Sequence, residues 1–360
     1  DLAQVLPAGP KVVWINLLDS VLYQQILAKP ERFIEMIPEK FGKDSWVVVD
    51  EVQRIPELLN YVHLLIEEKR IRFALTGSSA RKLKRLGTNL LGGRAFLNSL
   101  FPFTASELGS DFDLDEALQW GTLPQACKHD AALEKREYLR SYVATYLREE
   151  IKEEQIIRSL DPFVRFLEAA AQSSGQIMNA SKVARDSGSD PRAVLRYFDV
   201  LADTLLGFFL EPYHRSARKV QTSKSKFYLF DTGVKRALEG TLDLPLRPGT
   251  SAYGHAFEHF FILECVRHSS YLRREEKHFY IRTKDDVEID LLIERPGREL
   301  LAVEVRSAER VDENELRAAA ALAKDLGAKR FLVASREKRA RKVGEMEILP
   351  WTDILTELYG

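Results

Sequence analysis

Apolar positions along this chain follow two rhythms. Lys11 to Leu17 (KVVWINL), Trp46 to Glu51 (WVVVDE) and Ile71 to Thr76 (IRFALT) are short, nearly continuous apolar runs, the pattern of strands buried on both faces. Between them the period lengthens. Leu22 to Ile37 reads as a helix broken near Pro30, and Pro56 opens a second helix with Leu58, Leu59, Val62, Leu65 and Ile66 on one stripe. A short helix from Ala80 to Leu86 follows. Strands alternating with helices predict a parallel α/β sheet, whose ligands lie beyond the carboxyl ends of the strands.

From Phe103 to Ile157 the pattern is helical and charged, with a loop around Gly121 and Pro124 and a long amphipathic helix from Tyr138 to Ile157. A helix from Asp161 to Ser174 precedes a short one introduced by Asn179 and Ser181. Gly188 then makes a turn, and Asp190-Pro191 caps a third helix that runs to about Leu201. Val194, Leu195, Phe198 and Leu201 are expected on its inner side, with Arg192 and Arg196 projecting away. Two strands, Gly207 to Tyr213 and Lys226 to Phe230, complete a winged helix-turn-helix pattern. After a linker from Leu242 to Thr250 come a helix (Tyr253 to His268), three strands (His278 to Thr283, Asp286 to Glu294, Glu299 to Ser307), a helix (Glu313 to Leu326) and a strand (Arg330 to Ala334). Strict alternation in the second strand puts Val287, Ile289, Leu291 and Ile293 on one face and Glu288 and Asp290 on the other. In the third strand Glu304 and Arg306 oppose Leu301, Val303 and Val305.

The expected architecture is an α/β chain of four parts: a parallel-sheet nucleotide-binding core over 1–108, a helical lid or linker over 109–158, a winged helix over 159–240 and an α/β nuclease-like domain over 241–360. Its 360 residues support several cores, and a net charge of -1 confines any nucleic-acid surface to a local patch. Cys127 and Cys265 match no metal spacing and suit a reducing compartment. No run is long enough to span a bilayer and no signal peptide is evident, so a cytoplasmic protein without membrane contact is expected. The opening DLAQVLPAG reads as the end of a helix, which implies residues before Asp1.

Two strand ends carry candidate chemistry. Adjacent acids after VVV fit an acid that holds Mg²⁺ through water, Asp50, and one that prepares an attacking water, Glu51. Thr76 and Ser78, at the end of the next strand, could face the same phosphate. Arg94 in LGGRAF could reach a neighbouring subunit's nucleotide. The plainer alternatives are a core strand with an acidic turn, a hydroxyl-rich helix cap and a solvated arginine.

The runs VVVDEVQRIPELL, RFALTGSSARKL and LLGGRAFLNSLFPFTASEL, followed by SYVATYLREEI, KFYLFDTGV and GHAFEHFFILE, resemble a family of bacterial and archaeal AAA+ ATPases. That family carries a winged helix and a C-terminal domain of long-unassigned function, and the likeness spans nearly the whole chain. It implies ATP and Mg²⁺ as cofactors, Walker B roles for Asp50 and Glu51, a sensor-1 region over Thr76 to Ser78, Arg94 as an arginine finger and a homo-oligomer. One departure stands out. No G-x-x-x-x-G-K-S/T loop occurs in these 360 residues, so the polypeptide by itself is expected not to hydrolyse ATP.

The hairpin between the wing strands holds Arg215, Arg218, Lys219 and Lys224 without one acid. With Arg192 and Arg196 it forms a candidate surface for double-stranded DNA. In the last part, Glu258, Asp290 and Glu304 resemble the acids of PD-(D/E)XK nucleases, and Asp290 and Glu304 are candidate Mg²⁺ ligands. Arg306 stands where that motif has lysine. Its pKa is too high for it to accept a proton, which predicts an inactive nuclease-like domain. Two other functions stay open: a non-catalytic DNA- or protein-binding scaffold and a Mg-dependent DNA nuclease.

Overall fold

The computed structural model describes residues 11–77, 93–146, 160–214, 224–297 and 300–360. The chain divides into two compact units, residues 1–97 and 98–360.

In the first unit β1 (Lys11–Asn16), β2 (Ser45–Asp50) and β3 (Arg72–Leu75) form a parallel sheet in that order. Helix α1 (Ser20–Ala28) starts where the Asp19 carboxylate accepts the N–H groups of Val21 and Leu22. A break at Lys29–Glu31, where Pro30 cannot donate to the helix, separates it from α2 (Arg32–Glu35). Helix α3 (Leu58–Lys69) returns the chain to β3. Ile15, Val47 and Val49 pack against Ile26, Phe33, Leu58, Leu59, Val62 and Leu65 to form the core. Asn16 pairs with Asp50 and Val49 with Leu75, so the ends of all three strands share one rim.

The second unit opens with helices α4 (Ala105–Leu108), α5 (Leu114–Trp120), α6 (Pro124–Cys127) and α7 (Ala132–Ser141). Helix α7 widens into a π-helical turn over Tyr142–Tyr146. The rest of the long amphipathic helix expected to reach Ile157 lies outside the described residues, as does the helix expected over Ala80 to Leu86. Helices α8 (Leu160–Gln172), α9 (Ala180–Ser187) and α10 (Pro191–Asp203) come next, then an antiparallel hairpin of β4 (Gly207–Pro212) and β5 (Lys226–Leu229). Val194, Phe198 and Leu201 are buried on α10 as expected, whereas Leu195 is 44% exposed and Val200 takes a buried position instead.

The remaining elements are α11 (Thr232–Leu238), α12 (Ser251–Tyr271), β6 (Lys277–Arg282), β7 (Glu288–Glu294), β8 (Leu301–Arg306), α13 (Arg317–Leu326), β9 (Arg330–Ser335), β10 (Arg341–Val343), β11 (Met346–Pro350) and α14 (Trp351–Tyr359). With the hairpin they build one eight-stranded sheet, ordered β10-β11-β9-β8-β7-β6-β4-β5. The end of β4 pairs in parallel with β6, Glu211 with Phe279 and Pro212 with Tyr280. The hairpin and the C-terminal strands are therefore continuous.

Helices α12 and α14 cover one side of this sheet, with Leu291, Ile293, Val303 and Leu332. Helix α13 covers the other, with Ile289, Leu292, Ala302 and Val333. The alternation expected for β7 fails because Phe279 pairs with Leu292 while Ile281 pairs with Ile289. Two steps on β6 thus face three on β7, a bulge at Asp290–Leu291 that separates Ile289 from Leu291 and re-aims the residue between them.

A buried polar hub ties the N-terminal helices of this unit to α12. Asp231 accepts the N–H of Thr122 at 2.8 Å and of Val234 at 2.9 Å. Arg267, 2% exposed, donates to Phe103 O (3.1 Å), Thr122 Oγ1 (3.1 Å) and Phe230 O (2.8 Å). Gly121 has φ 74°, and a Cβ there would collide with the Asp231 carboxylate. The runs around Gly121 and Asp231 are thus a structural clasp.

Candidate functional site

At the rim of the first unit three predicted residues come together. The Thr76 hydroxyl donates to Asp50 Oδ1, and the Glu51 N–H points at Thr76 Oγ1 across 3.4 Å. Backbone bonds hold them in place: Thr76 N–H donates to Val49 O (2.9 Å) and Val52 N–H to Thr76 O (3.0 Å). Glu51 sits in the left-handed region, with φ 59° and ψ 42°. For a residue with a Cβ that conformation costs about 1–2 kcal/mol. It turns the chain sharply out of β2, and Gln53 Nε2 then donates to Glu51 Oε2 at 2.5 Å. Arg54 donates to Leu17 O at 2.5 Å and lies 4.5 Å over the Tyr23 ring, which pins the turn to the segment after β1.

Asp50 and Glu51 are half-buried and open to the rim. A carboxylate with a hydroxyl beside it, next to a second acid at a strand end, has the donor chemistry for a hydrated divalent ion and a polarised water. Arg94 forms an exposed ion pair with Glu67 of α3. Ser78 lies outside the described residues.

The second unit contains a cavity of about 1070 Å³ between α12, the hairpin and β7–β8. All four residues expected at the nuclease-like site line it: Glu258, Asp290, Glu304 and Arg306. The β7 bulge brings Asp290 there, where it accepts the Val305 N–H at 2.9 Å. Arg306 reaches Glu304 Oε1 at 2.6 Å and Asp290 Oδ2 at 3.9 Å. Burial, with the neighbouring Glu258 charge, raises the Asp290 carboxyl to about 7 against the pull of Lys226 and Arg306. Burial and Asp290 raise Glu304 well above the usual carboxylate range, and Glu304 Oε2 has no hydrogen-bond partner among the described residues.

Sequence reasoning missed Lys226, the first residue of β5. Its ammonium lies 2.5 Å from Glu288 Oε1 and 3.3 Å from Glu258 Oε1, and Tyr228 donates to Glu258 Oε1 at 2.8 Å. Burial works to lower that ammonium's pKa, but Glu258, Asp290 and Glu288 overcome it and raise it above its ordinary value. The one signal is that in KFYLF a lysine opens an otherwise apolar run, a pattern equally compatible with a solvated strand end.

The donor set does not suit a divalent ion, because Lys226, Tyr228 and Arg306 already engage these acids. Among the described residues no group of three or more His, Cys, Asp or Glu side chains is placed to hold a metal.

On α10, Arg192 and Arg196 are exposed four residues apart. The backbone oxygen of Lys224 accepts a hydrogen bond from the Tyr280 hydroxyl. Arg215, Arg218 and Lys219 lie outside the described residues. Among the described residues no helix is long and apolar enough to cross a membrane.

Residues 2–109 match the model of an AAA domain family, which supports an AAA-type, ATPase-like family for that stretch. Residues 111–244 and 253–354 match two domains of unknown function, DUF8612 and DUF4143. Two curated relatives, the uncharacterized protein Mb2031c of Mycobacterium bovis and the uncharacterized protein Rv2008c of Mycobacterium tuberculosis, are each 26% identical over 259 residues. The match covers 71% of this chain and 58% of each relative, so the chain spans little more than half the length of either. Protein VC1899 of Vibrio cholerae covers 89% of this chain and 91% of its own, at 11% identity and a TM-score of 0.23, too low to carry an argument. The same holds for Can2 of Sulfobacillus thermosulfidooxidans, solved with cyclic tetra-adenylate: 10% identity, TM-score 0.23, 96% of this chain and 98% of its own.

Proposed function

We propose that the first unit is the metal- and water-handling half of an ATP-hydrolysing site. The observation that carries this reading is the cluster of Asp50, Glu51 and Thr76 on one sheet rim, in a stretch that matches an AAA domain. Asp50 would hold Mg²⁺ through water. Thr76 fixes the Asp50 carboxylate and would face the γ-phosphate. Glu51, held off the strand by its left-handed backbone, orients the attacking water. Arg94 serves a neighbouring subunit's nucleotide in a homo-oligomer, which requires it to leave Glu67.

The test is phosphate release from Mg·ATP by a polypeptide that joins a G-x-x-x-x-G-K-S/T segment to the start of this chain. Glu51→Gln is expected to lower turnover by about a hundredfold or more while ATP binding persists, as for loss of a group that acts mainly in the transition state. Asp50→Ala should lower turnover and raise the Mg²⁺ concentration needed for half-maximal rate. Turnover unchanged in both variants sinks the reading. The 360-residue chain alone, without a G-x-x-x-x-G-K-S/T loop, is expected to release no phosphate.

For the second unit we infer DNA binding through α10 and the loop of the β4–β5 hairpin, in a cytoplasmic protein. Its support is the exposed Arg192 and Arg196 on a helix that follows α9 after a Gly188 turn. Arg218→Glu with Lys219→Glu should abolish retention on duplex DNA at low salt, and persistent retention refutes it.

A further inference from the structure

We propose that Lys226 is the resident cation of the acidic cavity: its ammonium takes the seat a divalent ion would need, and the same contact fastens the hairpin to the sheet.

Lys226 is 4% exposed, so its charge has no solvent to fall back on and must be neutralised within the protein. Two carboxylates from different elements converge on it, Glu288 of β7 at 2.5 Å and Glu258 of α12 at 3.3 Å. The Tyr280 ring lies 5.3 Å from the ammonium, a cation–π contact on a further side. These three contacts come from elements other than β5, so the ammonium is held at the junction of hairpin, helix and sheet.

The spacing also suits an ammonium better than Mg²⁺. Mg²⁺ takes oxygens at about 2.1 Å in octahedral geometry, closer than either nitrogen–oxygen separation here. A second cation placed among the same acids would be repelled by Lys226 at short range in a poorly screened site. Without the ammonium, Glu258 and Glu288 lose the cation they share; Arg282, 3.6 Å from Glu288, and Arg306, 3.9 Å from Asp290, then compensate the group only in part, which favours entry of a divalent ion.

The experiment is a Mn²⁺ titration by electron paramagnetic resonance on the whole chain, with Mn²⁺ itself as the probe. Unaltered protein is expected to show no Mn²⁺ site that Asp290→Asn removes. Lys226→Met should create one with a dissociation constant of about 10⁻⁴ M, in the range of weak oxygen-ligand sites, and Glu288→Gln in that background should remove it again. Lys226→Arg, which keeps the charge, should create none. An Asp290-dependent Mn²⁺ site in unaltered protein overturns the proposal, and that arm decides even where Lys226→Met fails to fold. A folded Lys226→Met protein that acquires no site overturns it equally.

Discussion

Replacing Arg267 by methionine should uncouple the front of the second unit from its sheet. The guanidinium is 2% exposed and makes three hydrogen bonds, to Phe103 O, Thr122 Oγ1 and Phe230 O, at 2.8 to 3.1 Å. It also lies 3.6 Å from Glu264, which accepts the Ala105 N–H at 2.9 Å. Burial lowers the pKa of Arg267, and Glu264 and Asp231 oppose that shift. Methionine fills similar volume, so the loss is chiefly polar. Three acceptors lose their donor and Glu264 and Asp231 lose a compensating charge inside the protein. Removing one partner of a buried pair typically costs about 3–5 kcal/mol. Hydrogen bonds to a charged group, at about 1.5–3 kcal/mol each, reach the same range once desolvation of the arginine is recovered.

Urea unfolding, followed by tryptophan fluorescence and far-ultraviolet dichroism, reads the loss. Trp120 lies beside the hub and Trp351 begins α14, so both report this unit. With a slope near 3 kcal/mol per molar urea, the midpoint should fall by about 1–1.7 M. Arg267→Lys keeps the charge but not the fork and should fall in between. A midpoint shift under about 0.3 M for Arg267→Met, equivalent to about 1 kcal/mol, refutes the hub as the element that unites these segments.

Other consequences are as direct. Gly121→Ala forces a Cβ into the Asp231 carboxylate at a φ of 74° and should destabilise the second unit by at least about 2 kcal/mol in the same titration; a neutral outcome would mean that the turn relaxes freely. His259 is buried, its Nε2 lies 2.6 Å from Leu229 O, and burial lowers its pKa to about 3. Because the folded value lies below the ordinary 6.5, its contribution to stability is complete above pH 6.5 and is lost as pH falls toward 3. Wild type should therefore lose stability faster than His259→Gln over that window, and parallel curves would contradict the assignment. With Lys226 and Arg306 engaging the cavity acids, supercoiled plasmid should stay intact with Mg²⁺ or Mn²⁺. Cleavage that disappears in Asp290→Ala would restore the nuclease reading.

The strand ends were legible because the run that identifies a buried strand also shows where it stops: VVV gives way to Asp50-Glu51, and ALT ends at Thr76. Parallel register then placed those positions on one rim without further information. Glu258, Asp290, Glu304 and Arg306 could be grouped because each sits on a helix or strand with a readable period. Other features depended on pairings between distant segments. Lys226 is separated by 32 residues from Glu258, and only the β4–β6 pairing, which has no local signature, brings its strand to that cavity. The bulge at Asp290 was hidden because alternation remains plausible on paper when one residue is inserted. The C-terminal β10–β11 hairpin went unread for a different reason: strands of three and five residues hold too few positions to establish a period.

The most direct experiment asks where the γ-phosphate of bound ATP goes. A polypeptide that joins a G-x-x-x-x-G-K-S/T segment to this chain is loaded with ATP labelled at the α or the γ position, and both labels are followed on the protein after rapid gel filtration in Mg²⁺. Glu51→Gln should keep the two labels in equal amount, while wild type loses the γ label first. Loss of the γ label from Glu51→Gln at the wild-type rate would show that Glu51 does not prepare the attacking water.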